Sequence, residues 1–139
     1  MALYGKEHVD RYLATEGKEG HAWNDTQTLL LTTVGRRSGE PRVAPLIYDM
    51  HRGDYAIVAS KGGADEPPAW YVNLQANPEV EVQVWGDRFK ATARTATPEE
   101  RAAAWPKLAL EWPDYDEYQQ KTEREIPIVL LEREGRERS

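Results

Sequence analysis

Apolar residues in this chain fall into two kinds of short run. Compact blocks such as QTLLLTTV over 27–34, YAIVAS over 55–60 and IPIVLLER over 126–133 predict buried strands. Strict alternation through Val80, Val82 and Val84, then through Phe89, Ala91 and Ala93, predicts strands with one wet face. Gly86 and Asp87 separate the two alternating runs, so residues 79–96 read as a hairpin. PRVAPLIYDM over 41–50 predicts a further strand. Its Pro41 and Pro45 are tolerated in a ladder chiefly at an edge or bulge, so this strand bends or lies beside an opening.

Helical signals are fewer. Residues 4–14 can form a short helix with Val9, Tyr12 and Leu13 toward one side, before Gly17 and Gly20 break it. Pro68 starts a helix over AWYVNLQAN, with Trp70 and Leu74 on one face, and Asn77–Pro78 close it. Thr97, Pro98 and Glu100 supply a cap hydroxyl, a first-turn proline and a third-position carboxylate for a helix to about Leu110. A shorter helical stretch through Tyr115, Tyr118 and Gln119 follows Pro113, whereas KGGADEPP over 61–68 has no regular structure at its front end. Strands do not alternate strictly with long helices. The order therefore predicts a mainly β fold, an antiparallel barrel with helical connections, over a doubly wound parallel sheet.

A length of 139 residues bounds the chain to one core-bearing domain. We divide it into an amino-terminal helical or flexible segment (1–20), the barrel domain (21–133) and a disordered tail (134–139). The chain has no cysteine, which excludes disulfides, thiol catalysis and iron–sulfur clusters, so any redox function needs a bound cofactor. A net charge of -6 opposes nucleic-acid binding. The charged amino terminus lacks the apolar core of a signal peptide, and no run approaches the roughly 20 apolar residues of a membrane span; a cytoplasmic protein is expected.

Candidate chemistry concentrates in two loops. His8, His21 and His51 sit in polar stretches expected to face solvent, with no metal-binding spacing, and no metal site is expected. No nucleophile elbow accompanies Ser60, and Glu79 and Glu81 share the solvent face of a strand. Arg36, Arg37 and Arg42, by contrast, fall within seven residues that hold one acid, Glu40. Arginine forks beside Ser38 and turn amides suit a cluster of anionic oxygens, although a merely solvated basic turn has the same pattern. Ser60, Lys61 and Gly62 add a hydroxyl, an ammonium and an unhindered amide directly after a buried strand. If both loops open at one end of the barrel, four cations converge on a polyanionic ligand.

The runs LLLTTVGRRSGEPRVAPLIY and VASKGGADEPPAWYVNLQANPEVEVQV, with the spacing through ATARTATPEERAAAWPKL to Tyr115, Tyr118 and IPIV, together resemble the deazaflavin-dependent nitroreductase family of actinobacteria. The resemblance covers about residues 20–132 and implies a split β-barrel related to FMN-binding oxidoreductases, with reduced coenzyme F420 as hydride donor. It implies that Arg36, Arg37 and Arg42, with Ser38, meet the anionic tail, and that Ser60, Lys61 and Gly62 lie along the cofactor. Pro45, Ala69 and Trp70 would enclose it, and Asn73 would add a polar contact. Tyr115 and Tyr118 would form an aromatic wall on the acceptor side, where Ile47 and Trp112 stand in place of tyrosines of the nitroimidazole-reducing type. Ser60, Tyr115 and Tyr118 become the candidate catalytic groups. The implied acceptor is quinone-like or nitro-aromatic, reached by transient contact with a membrane surface. An F420 carrier without turnover and an FMN- or haem-binding barrel are the alternatives, and the oligomeric state is left open.

Overall fold

The computed structural model describes residues 5–134. Helix α1 (Gly5–Thr15) is followed by β1 (Ala22–Trp23), β2 (Thr26–Val34), β3 (Pro41–Ile47), β4 (Asp49–His51) and β5 (Asp54–Val58). A 3-10 turn (Lys61–Gly63) then leads to α2 (Ala69–Ala76), β6 (Glu79–Val84), β7 (Asp87–Thr95), α3 (Pro98–Glu111), α4 (Asp114–Gln120) and β8 (Ile128–Arg133). The strands form one antiparallel sheet in the order β1-β2-β6-β7-β8-β5-β4, with β3 added on β2, and it curls into a split β-barrel. Residues 1–4 of the expected amino-terminal segment and 135–139 of the expected tail lie outside the described residues.

Two cores explain the two kinds of apolar run. Val80, Val82 and Val84 of β6 join the barrel interior with Leu29, Leu31 and Ile57, while Glu79 and Glu81 stay exposed, which gives the alternation. Strands β5 and β8 are covered on both sides. Ile57, Val129 and Leu131 face the barrel core, while Ala56, Val58, Ile128 and Leu130 face a second core against Leu108 of α3 and Tyr115 of α4. A strand buried on both faces has no polar positions to alternate with, hence the unbroken runs. The capping box of α3 is present: Thr97 Oγ1 accepts from Glu100 N at 3.2 Å and Glu100 Oε1 from Thr97 N at 2.9 Å.

Strand β3 pairs only with β2 among the described residues, with Pro45 opposite Leu30, and so forms the expected proline-bearing edge. Three elements differ from the sequence expectation, the first being the unpredicted short strand β1. The 41–50 run breaks at Tyr48 into β3 and β4, and the front of KGGADEPP forms the 3-10 turn.

The histidines require a correction, because all three are buried rather than solvent-facing. His8 Nε2 lies 2.7 Å from the Gly20 carbonyl. His21 shares a 2.8 Å hydrogen bond with Tyr48 and stacks on Trp85 at 4.0 Å. Burial lowers the pKa of His21. Helix α1 is likewise docked on the barrel: Tyr12 is fully buried, donates its hydroxyl hydrogen to the Thr28 carbonyl at 3.0 Å and accepts from Trp85 N at 2.9 Å. Among the described residues, no helix is long and apolar enough to cross a membrane.

Candidate cofactor and acceptor site

The basic turn between β2 and β3 is closed by backbone hydrogen bonds from Gly39 N to Gly35 O and from Gly35 N to Glu40 O, both 2.8 Å. Ser38 Oγ accepts from Glu40 N at 3.2 Å, and the Arg42 guanidinium approaches it at 3.5 Å. Asn73 of α2 is buried, and its Oδ1 accepts from both the backbone N (3.3 Å) and Nη1 (3.0 Å) of Arg36. Its amide nitrogen donates in turn to buried Thr33 at 3.2 Å. The resemblance gave Asn73 a contact of its own; here its amide is occupied in holding an arginine. Among the described residues, no carboxylate pairs with Arg36, Arg37 or Arg42. The three, with Ser38, Ala69, Trp70 and Asn73, border a cavity of about 400 Å³.

A second cavity of about 420 Å³ adjoins it, because Trp70 lines both and consecutive residues of β3 divide between them, Ala44 to the first and Pro45 to the second. Ser60, Lys61 and Gly62 form one side of this chamber. Gly62 has φ of +64°, and a Cβ there would meet no atom within 4 Å, so the turn leaves open space beside its backbone. Lys61 is only loosely balanced, 3.9 Å from exposed Glu66.

Ile47, Trp112, Tyr115 and Tyr118 line the chamber as well. Tyr115 and Tyr118 meet edge to face with centroids 6.1 Å apart, and Trp112 Nε1 donates to the Tyr118 hydroxyl at 3.3 Å. Burial pushes the Tyr115 phenol well above its ordinary pKa. All the residues singled out from the sequence therefore border one or other of two joined cavities, one cationic and one aromatic.

Sequence reasoning missed part of the wall. Gly5 and His8, one turn apart on α1, also line the chamber, as do Trp23 and Thr28. Trp23 packs against Trp112 with centroids 5.4 Å apart and stacks at 6.4 Å on His8. Because a carbonyl can only accept, the short contact to Gly20 puts a proton on His8 Nε2. Arg124, between α4 and β8, holds the loop behind Ser60.

A family profile described as F420H(2)-dependent quinone reductase matches residues 4–133. An F420H(2)-dependent quinone reductase of Mycobacterium tuberculosis is 39% identical over 135 residues, which span 91% of this chain and 87% of the relative. A solved F420-H2 dependent reductase is 43% identical over 76% of this chain and 93% of its own, with a TM-score of 0.70. The haem storage protein HutZ of Vibrio cholerae, at 16% identity, 96% and 93% coverage and a TM-score of 0.64, shares the fold alone.

Proposed function

We propose a function from one premise: the chain belongs to the F420H(2)-dependent quinone reductase family. In this reading it binds reduced F420 and reduces a quinone-like acceptor. The observation that carries it is the junction at Trp70 of a cationic cavity with an aromatic chamber. A cofactor with a flat ring and a long anionic tail needs both.

The residues suit such a ligand. Arg36, Arg37 and Arg42, which among the described residues have no carboxylate partner, would hold the anionic tail, with Asn73 fixing the direction of Arg36. Ser38 would add a hydroxyl contact, and Pro45, Ala69 and Trp70 would enclose the ligand. The open space beside Gly62 would let backbone approach the ring, flanked by Ser60 and Lys61. When bound, reduced F420 supplies hydride. The protein's part is to orient the acceptor, to exclude water with the Trp23–Trp112 pair, and to offer hydrogen-bond donors, Ser60 on one side and the protonated phenol of Tyr115 or Tyr118 on the other. Ile47 and Trp112 would set the shape of the acceptor space.

The same flat chamber suits nitro-aromatic acceptors, and the M. tuberculosis relative supports an actinobacterial family. We place the enzyme in the cytoplasm, touching the membrane surface transiently to reach a long-chain quinone. The test is to titrate the protein with F420, FMN and FAD, then to mix the reduced F420 complex with menadione, a longer-chain quinone and a nitroimidazole while following deazaflavin absorbance. Tight F420 binding with acceptor-dependent oxidation is expected. Binding with no oxidation beyond the free-cofactor control makes the protein a carrier, and preference for FMN overturns the cofactor assignment.

A further inference from the structure

The loop that carries Ser60, Lys61 and Gly62 is gripped from behind by one side chain. Arg124 Nε donates to the Ala64 carbonyl at 2.8 Å, and its Nη2 donates to the carbonyls of Ser60 at 2.9 Å and Ala59 at 3.2 Å. Three carbonyls on both flanks of the 3-10 turn thus converge on one planar guanidinium. Among the described residues Arg124 has no carboxylate partner, so its charge is balanced here by the loop's backbone dipoles.

The main chain of the same residue is tied to α4, which also lines the chamber through Tyr115 and Tyr118. Gln119 of α4 donates its Nε2 hydrogen to the Arg124 carbonyl at 2.8 Å, and its Oε1 accepts from Ile126 N and from Arg101 Nη2, both at 2.9 Å. Arg101 Nε closes the network on the Ile126 carbonyl at 2.9 Å. A second tie, from Thr122 Oγ1 to Asp65 at 2.8 Å, joins the same two segments. We propose that Arg124 is a positioning residue that fixes the Ser60–Gly62 loop against α4, and with it the shape of the chamber in which cofactor ring and acceptor meet. The catalytic part of this inference rests on the functional reading above; the mechanical part does not. A lysine carries the same charge on a point donor and lacks the rigid fork that spans Ala59, Ser60 and Ala64.

The test uses Arg124→Ala and Arg124→Lys in the full chain. In protein without cofactor, amide exchange is read at Gly63 and Ala64, which donate to the carbonyls of Ser60 and Lys61. Exchange at least about tenfold faster at these two amides in Arg124→Ala, with the β6–β7 amides unchanged, is expected for a local clamp. Adding methylguanidinium should restore protection in Arg124→Ala but not in Arg124→Lys. With reduced F420 bound, the dissociation constant should move less than about threefold because the arginine cavity is intact, while single-turnover oxidation by menadione slows about ten- to a hundredfold. Unchanged loop exchange overturns the proposal, as does exchange that rises uniformly through the barrel. A parallel loss of affinity and rate overturns the positioning role. If wild type binds no F420, the functional reading fails while the exchange comparison still decides the clamp, and Arg124→Lys supplies it should Arg124→Ala not fold.

Discussion

A Cβ at Gly63 would stand 2.7 Å from the carbonyl oxygen of Tyr118 and 2.9 Å from its Cα, so the loop and the helix α4, both of which line the chamber, touch backbone to backbone. Backbone cannot yield as the end of a flexible side chain can, and Gly63 also has φ of +85°, where an L side chain is strained. Gly63→Ala should therefore destabilise the fold by about 2–4 kcal/mol, combining left-handed strain with overpacking. Gly62→Ala is the matched control: φ is +64° but its Cβ would meet open space, so about 1 kcal/mol is expected. Urea denaturation of the two variants checks the difference, and equal losses would mean that the loop–helix contact is not close.

The basic turn makes a quantitative prediction because, among the described residues, no carboxylate pairs with its arginines. Replacing Arg37 and Arg42 with alanine should weaken F420 binding by about 2–4 kcal/mol, at roughly 1–2 kcal/mol for each charge-assisted contact. The loss should shrink as salt is raised, since wild-type binding is itself screened. Fluorescence titration at low and high salt checks both statements, and unchanged affinity at low salt would remove the cluster from the cofactor site.

What could be read from the chain follows from how far apart the interacting residues lie. The 79–96 hairpin was legible because each strand has a wet face, and β5 and β8 because neither face is wet. The clustering of the basic turn was legible because its arginines are neighbours in sequence. His8 was misread because Lys6, Glu7, Asp10 and Arg11 surround it locally, while its burial is decided by Gly20 and Trp23. Arg124, in TEREIP, reads as one more solvated charge; its carbonyl partners lie 60 to 65 residues away. Asn73 borders the arginine cavity, but the contact that orients its amide comes from Thr33, 40 residues away.

The α3 cap predicts a pH dependence. The Arg94 guanidinium, with further help from Thr97 N, holds the Glu100 carboxylate well below its ordinary pKa of 4.5, at about 2. A depressed carboxylate contributes stability that is complete above the unfolded value and is lost as pH falls through the folded one, because the unfolded chain protonates first. Glu100→Gln keeps a capping amide but removes the charge opposite Arg94, so it should cost about 1 kcal/mol at pH 7. That difference should fade between about pH 5 and pH 2. Denaturation midpoints of the two proteins across this range check it, and a pH-independent difference would assign the effect to packing.

Ser60 and Tyr118 both line the chamber, and the proposed reaction gives them separable effects. A hydroxyl that stabilises charge developing during hydride transfer should matter for every acceptor, so Ser60→Ala should slow single-turnover oxidation of bound reduced F420 about tenfold to a thousandfold across the panel. Tyr118 lines the chamber and accepts from Trp112 Nε1. Tyr118→Leu keeps apolar volume but loses the ring and releases Trp112, so it should reorder menadione, longer-chain quinone and nitroimidazole while leaving F420 affinity nearly intact. Tyr115→Phe isolates the buried phenol: a uniform loss of rate with unchanged ranking is expected if that hydroxyl donates to the acceptor oxygen. Rapid-mixing absorbance with the three acceptors separates these patterns. If Tyr118→Leu and Tyr115→Phe both keep wild-type rates and order, the acceptor is bound elsewhere, and the Gly5, His8 and Trp23 wall becomes the place to look.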